Sequence, residues 1–250
     1  ELIYTSSDGK IIEPYQTMGF NANIVSNTYS NGRGVIVFDK DITAISEYAF
    51  YDCSTLTSIK MPKSVTKIKD YAFYNTAILE IDIPANVTEV ADYAFYSTNI
   101  TNLLIPNTLI SIGDYAFSYN PISKLDLGDS ITKIGNNAFS SIDIKNLIIP
   151  DNVTLIGDNA FSNCKKLTNC SIGKGVTTIG KNAFYTCVSL TSVYCKPTTP
   201  PSIYMLYNYS SNNSGSFPFN NNMKIYVPRN SYDEYMRYEG RDNDRNILGT

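Results

Sequence analysis

The 250-residue chain contains no histidine and no tryptophan. Without histidine it lacks the side chain whose unperturbed pKa lies nearest neutrality and the commonest metal ligand. Ser-His-Asp, Cys-His and zincin-type schemes are therefore excluded in their usual form. An excess of one charge is also missing: 20 basic and 23 acidic residues leave a net charge of −3 with the signs interspersed. Nucleic acid is not an expected partner, because neutralising phosphates needs a basic footprint. Long hydrophobic runs are absent, since the longest, such as NLIIP and NLLIP, fall far short of the roughly 20 residues that span a bilayer. Glu1 leads straight into LIYTSSDGK with no basic and apolar leader. The expectation is either a cytosolic protein or an exported one whose signal was removed before this numbering begins. Cysteines number five, an odd count that does not suit a closed disulfide framework.

What is present is a repeat. ISIGDYAF, at Ile110 to Phe117, has near copies ending at Phe50, Phe73, Phe95, Phe139, Phe161 and Phe184, with steps of 22 or 23 residues between successive phenylalanines. Within each unit one apolar row runs Leu56, Ile78, Ile100, Ile122, Ile144, Leu167, Leu190. Three residues on comes Ile59, Ile81, Leu103, Leu125, Leu147, Cys170, Val193, and two further Met61, Ile83, Ile105, Leu127, Ile149, Ile172, Cys195. The closing alternation predicts a short strand with one buried face. Pro62, Pro84, Pro106, Gly128, Pro150 or Gly173 then stops the strand. Small hydrogen-bonding residues follow (Ser64, Asn86, Thr108, Ser130, Asn152), suited to satisfying backbone groups in a buried turn. A second short extended piece such as Val65-Thr66-x-Ile68 comes next, and then a single helical turn carrying Ala-Phe with its ring in the core.

One such coil cannot bury its apolar face alone, so coils must stack at roughly 4.8 Å into a continuous core. The fold class expected is a repeat solenoid. It has a parallel sheet on the concave side, short strands and single helical turns elsewhere, and 22–23 residues per coil. Residues 1–34, with SSDG as a hairpin-type turn between LIYT and KIIEP, are the expected N-terminal cap, and 35–196 the solenoid. Residues 197–222 read as a Pro/Ser/Asn-rich loop, and 223–250 as a C-terminal cap of one strand (MKIYVP) and a helix opened by a Ser231/Glu234 capping box.

The repeat resembles the BspA-like subclass of bacterial leucine-rich repeats, whose unit runs close to L-x-x-[IL]-x-[IL]-P-x-x-V-T-x-I-G-x-x-A-F. The resemblance covers about Val35 to Lys196. It departs from the commoner leucine-rich repeat, where the residues after the strand end in Asn; here Ser, Asn and Thr share that slot. The resemblance implies a secreted or surface-attached, non-enzymatic protein with an adhesin-like binding role. Its implied partner is a host extracellular-matrix or microbial surface protein, or a glycan. A spacer rod with no ligand of its own is the alternative. A monomer without membrane span is expected.

Every candidate for chemistry has a structural reading beside it. Cys53, Cys164 and Cys187 stand three residues after a core Phe, only in the coils carrying an extra residue, and Cys170 and Cys195 occupy strand rows. All five read as small buried hydrophobes, and no metal or cofactor is expected. Asp82 and Asp126 lie two coils apart on the outward strand face, roughly 10 Å, a carboxylate separation that glycosidases use. Nothing in the flanking residues supplies a pocket for them, and no catalytic residue is assigned. On the same face Leu104, Ile148 and Tyr194 form a candidate docking strip. A tyrosine column, Tyr48, Tyr71, Tyr93, Tyr115, changes to Asn137, Asn159, Asn182, and Tyr51, Tyr74 and Tyr96 thicken it. Shielding of the neighbouring coil is the preferred reading, with recognition through Tyr71 and Tyr93 as the sharper one.

Overall fold

The computed structural model describes residues 1–15, 18–203, 224–234 and 246–249. It is a solenoid of stacked coils held along three sides. The first side carries the strands that follow each Leu/Ile row: Leu56–Lys60, Asn102–Leu104, Lys124–Asp126, Asn146–Ile148, Asn169–Ile172, Ser192–Cys195, Lys224–Val227 and Asn246–Gly249. The pairing is parallel from coil to coil, as in Leu147↔Cys170↔Val193↔Ile225. It falls into separate runs, one of Asn102–Leu104 with Lys124–Asp126 and one of five strands starting at Asn146–Ile148. The second side is an eight-stranded parallel sheet of two-residue strands, from Ala44–Ile45 to Ser202–Ile203. Its residues are the β-branched pieces after each Pro or Gly turn. Threonines reinforce it, each Oγ1 donating to the carbonyl one coil back, as Thr88 to Thr66 (3.3 Å) and Thr154 to Thr132 (3.1 Å).

The third side is the Ala-Phe stretch. Instead of a helical turn it forms two successive tight turns, because the residues two before and two after each Phe have left-handed φ. Tyr71 (φ 55°) and Asn75 (φ 52°) flank Phe73, and Asn159 (φ 55°) and Asn163 (φ 59°) flank Phe161. Alternate amides then point along the stack. Tyr48, Phe50 and Asp52 N–H donate to the carbonyls of Asp70, Ala72 and Tyr74 at 2.8–3.0 Å, and the pattern recurs in the following coils. Carboxylate and amide side chains add a rung: Asp92 N–H donates to Asp70 Oδ1 (3.1 Å), Asp114 to Asp92 (2.7 Å), Asn136 to Asp114 (2.7 Å) and Asp158 to Asn136 (2.8 Å). From Gly113 onward the residue before this rung is glycine, as a Cβ on Gly135 would lie 2.6 Å from the Gly113 backbone.

The three apolar rows and the phenylalanines point inward. All are buried except Leu125, which is half-buried against the core. The seven Phe rings form one column with centroids 5.0–5.6 Å apart and planes within 13°. Each fully buried ring contributes roughly 1.5–3 kcal/mol of transfer free energy. The turn residues after the strands behave as the sequence implies: Asn86 Nδ2 donates to Lys63 O (2.8 Å) and Asn152 Nδ2 to Asp129 O (2.7 Å).

The N-terminal end is closed by three strands: β1 (Leu2–Ser6), β2 (Ile24–Ser30) and β3 (Arg33–Phe38). The SSDG turn does not lead into a pairing arm. Instead β1 pairs antiparallel with both β3 and Leu56–Lys60, covering the edge of the first coil. KIIEP runs without strand structure, with Ile12 N–H donating to the Tyr4 hydroxyl (3.1 Å). The actual hairpin joins β2 to β3 through Asn31-Gly32 at φ 50° and 75°, the signature of a type I′ turn, and β3 straddles the boundary expected at residue 34.

At the other end Lys224–Val227 extends the strand face as expected, and Asn246–Gly249, where the sequence predicts no strand, pairs parallel beside it. The helical turn opens earlier than Ser231. Pro228 (φ −56°, ψ 135°) precedes a 3₁₀ turn at Arg229–Ser231, and Ser231 lies buried inside it with its N–H on Pro228 O (2.9 Å). Proline's fixed φ suits the start of that turn, and the chain continues as α-helix at 232–234, directly after Ser231. Most of the expected loop and the remainder of the expected terminal helix lie outside the described residues.

Candidate functional site

Two surfaces carry unusual side chains. On the strand face, alternation sends every other residue outward, and Leu104 and Ile148 stand 67% and 68% exposed with Tyr194 at 45%. Register places Ile148, Ser171, Tyr194 and Tyr226 in one row across four neighbouring strands, with the Tyr194 and Tyr226 rings stacked at 4.6 Å. A shallow groove of about 740 Å³ is lined by Ser171, Tyr194 and Tyr226 of this row together with Lys196 and Arg229. Leu104 sits opposite Asp126 in the other run of strands, so the strip is interrupted. Asp82 is exposed and lies outside the named strands, and Asp126 accepts the Gly128 N–H (3.1 Å). Neither aspartate lines the groove beside Tyr194. Tyr226 was not legible as a site residue, because the irregular stretch before Lys224 hides its place in the row.

The second surface is the tyrosine edge. Tyr48, Tyr71, Tyr93 and Tyr115 stack face to face with centroids 4.6–4.8 Å apart and planes within 8°. Beside them Tyr51, Tyr74 and Tyr96 form a second column at 4.9–5.0 Å, and edge and tilted contacts zip the two together. Most of these rings are half-buried, as shielding of neighbouring coils requires. Burial pushes the Tyr71, Tyr93 and Tyr96 hydroxyls above the usual tyrosine range, and neighbouring tyrosines add to it. All four members of the first column have φ between 54° and 58°. Asn137, Asn159 and Asn182 hold the same backbone at 54–57°, and asparagine is the residue that tolerates this region best. The column change is therefore a change of side chain on an unchanged backbone.

None of the five cysteines is joined in a disulfide. Cys164, Cys170, Cys187 and Cys195 are buried and Cys53 is half-buried. Burial pushes the Cys164 and Cys170 thiols well up. Cys164 donates to Phe139 O (3.4 Å) and Cys187 to Phe161 O (3.1 Å), so two of the three extra-residue coils use sulfur to satisfy a core carbonyl. Among the described residues no group of three or more Cys, Asp or Glu is placed to hold a metal ion, and no helix is long and apolar enough to cross a membrane.

This geometry has relatives among solved structures. A leucine-rich repeat protein from Bacteroides ovatus matches with a TM-score of 0.58 and 19% identity, over 96% of this chain and 66% of that one. A leucine rich cell surface protein from Faecalibacterium prausnitzii matches at TM-score 0.39 and 23% identity, over 65% and 54% of the two chains. The pneumococcal vaccine antigen PcpA matches at 0.43 and 17%, over 84% and 66%. The chain thus spans slightly less than two thirds of the first of these proteins, and at such identity the likeness is one of fold. No curated protein sequence matches. The description of the BspA type leucine rich repeat region matches residues 23–143 and 132–227 in six copies, and the chain belongs to that family.

Proposed function

We propose that the chain is a non-catalytic binding module of a secreted or surface-displayed bacterial protein, adhesin-like, which docks a protein partner on its strand face. The observation that carries this reading is the row Ile148, Ser171, Tyr194, Tyr226. An exposed isoleucine lies there in register with a stacked tyrosine pair that lines a groove, with Leu104 further along the same face. Aromatic and aliphatic anchors that neighbouring coils hold rigid supply contact area at low entropy cost. Family membership supports the extracellular placement, as the BspA-like resemblance implies it. The test is a binding screen of the purified chain against extracellular-matrix and microbial surface proteins, followed by the double variant Leu104→Asp/Ile148→Asp. Binding is expected to fall at least tenfold at unchanged melting temperature, since a buried unpaired charge is costly in an interface. Absence of any partner would favour the spacer rod.

A further inference from the structure

A third surface follows from the coil lengths. From core Phe to the next strand row there are six residues in the first coil (Phe50 to Leu56), and six again from Phe161 to Leu167 and from Phe184 to Leu190. The four coils between, Phe73 to Ile78 through Phe139 to Ile144, have five. Four short coils between longer ones leave a trough of about 590 Å³ running from Ser54 to Asp143. At its far end Lys166, from the next long coil, pairs with Asp143 at 2.9 Å. The trough spans roughly 20 Å at the inter-coil spacing.

Its floor is rigid. Thr76, Thr98 and Asn120 are buried. Asn120 Nδ2 donates to Phe95 O (2.7 Å) and Phe117 O (3.1 Å), while its Oδ1 accepts from Thr98 Oγ1 and Ile100 N–H. The rim offers Asn99, the Oδ1 of Asn75, whose Nδ2 donates to Asp52 Oδ1, and the O–H of Ser141, whose oxygen accepts from Asn163 Nδ2 (2.8 Å); no lysine or arginine lines the trough. One residue is out of place. In the column two after Phe, all at left-handed φ, stand Asp52, Asn75, Ser97, Ser141, Asn163 and Thr186, but the fourth coil has Tyr119 at φ 57°. Its ring ends the second tyrosine column, tilted 57° from Tyr96, lines the trough and stays 56% exposed. Neither burial nor backbone preference accounts for a tyrosine there.

An open polar trough with fixed amides and hydroxyls, one exposed ring and its lining carboxylate, Asp143, paired with Lys166 fits a neutral sugar chain. Pyranose C–H faces stack on an aromatic ring, and vicinal hydroxyls exchange hydrogen bonds with amides. A peptide would need a free strand edge or apolar pockets. Here the floor amides are already spent between coils, as Asn99 N–H on Ile78 O (3.0 Å) and Asp143 N–H on Ile122 O (2.8 Å). We propose that this trough binds a neutral oligosaccharide, with Tyr119 stacking on a sugar ring and Asn75, Asn99 and Ser141 bonding its hydroxyls. The proposal rests on the reading of the chain as a binding module, but not on the strand face.

The test is calorimetric titration of the purified chain with cellohexaose, maltohexaose, xylohexaose, mannohexaose and chitohexaose. Saturable binding of at least one is expected. Tyr119→Asn should weaken it at least tenfold with the melting temperature at or above that of the parent, because asparagine suits the backbone. Asn99→Ala should weaken it severalfold, and Leu104→Asp/Ile148→Asp should leave it unchanged. No binding of any of the five overturns the proposal, as does binding that survives Tyr119→Asn. Loss of sugar binding in the strand-face variant also overturns it by moving the site. A protein partner that still depends on Leu104 and Ile148 would leave the binding-module reading standing after such a failure.

Discussion

Coils one to four and coils five to seven share the turn backbone around the core Phe and differ in the side chains at its edge. Two residues before the core Phe the first group has tyrosine and the second asparagine, at the same φ. Asparagine suits that conformation, whereas a bulky L-residue there costs roughly 1–2 kcal/mol. Stacked rings return about 0.5–1.5 kcal/mol per pair, so the tyrosines are self-consistent as a column and unfavourable as single residues. The comparison teaches that the left-handed turn is a demand of the fold, and that how a coil meets it is free to vary with its neighbours.

The largest expected effect tests what the two halves have in common. Phe117→Ala and Phe161→Ala should each lower stability by about 3–5 kcal/mol in chemical denaturation, through lost burial and an unfilled cavity. A much smaller loss in either half would mean that the ring column is not continuous in solution. Next comes the edge itself. Asn159→Tyr, with asparagines on both sides, should cost roughly 1–2 kcal/mol. Asn137→Tyr can stack on Tyr115 and should cost less by about 0.5–1.5 kcal/mol. Equal losses would show that stacking does not compensate the backbone.

Alkaline pH sharpens the same contrast. A tyrosine with a raised folded pKa is neutral in the native state while its unfolded counterpart ionises near pH 10. Its contribution is complete below that pH and is lost as pH rises through the folded values. The protein should lose stability steeply above about pH 10, and Tyr71→Asn/Tyr93→Asn should flatten that fall in denaturation midpoints measured across pH. Thiol labelling should separate the ends: Cys53 reacts first, while Cys164, Cys170 and Cys187 wait for unfolding, as read by mass spectrometry. Smallest of all, Lys124→Ala on the exposed strand face should change stability by a few tenths of a kcal/mol at most.

Much of this was legible because burial dictates residue type at fixed intervals. The Phe column, the three apolar rows and the outward places of Leu104 and Ile148 all follow from periodicity. The left-handed turns were harder to read, since tyrosine is no signal for them, although Asn137, Asn159 and Asn182 in the same column are. Asn31-Gly32 likewise marks the cap hairpin more strongly than Ser7-Asp8-Gly9 does. The Asn246–Gly249 strand was hidden because it is short and follows a polar stretch. The break in the strand face between Asp126 and Asn146 depends on how coils sit on one another, which no single repeat encodes.

The turn ladder has a further consequence. Its three amides per coil all donate toward the next coil, unlike a sheet, whose peptide dipoles largely cancel. The stack therefore has a head and a tail, and every junction presents the same donors to the same acceptors. At the first coil the acceptor side is met by Tyr15, whose N–H reaches Ala49 O at 2.8 Å. A gene that duplicates or deletes one whole coil would meet a matching joint on either side, so such a rod can change length in single steps while its ends stay as they are.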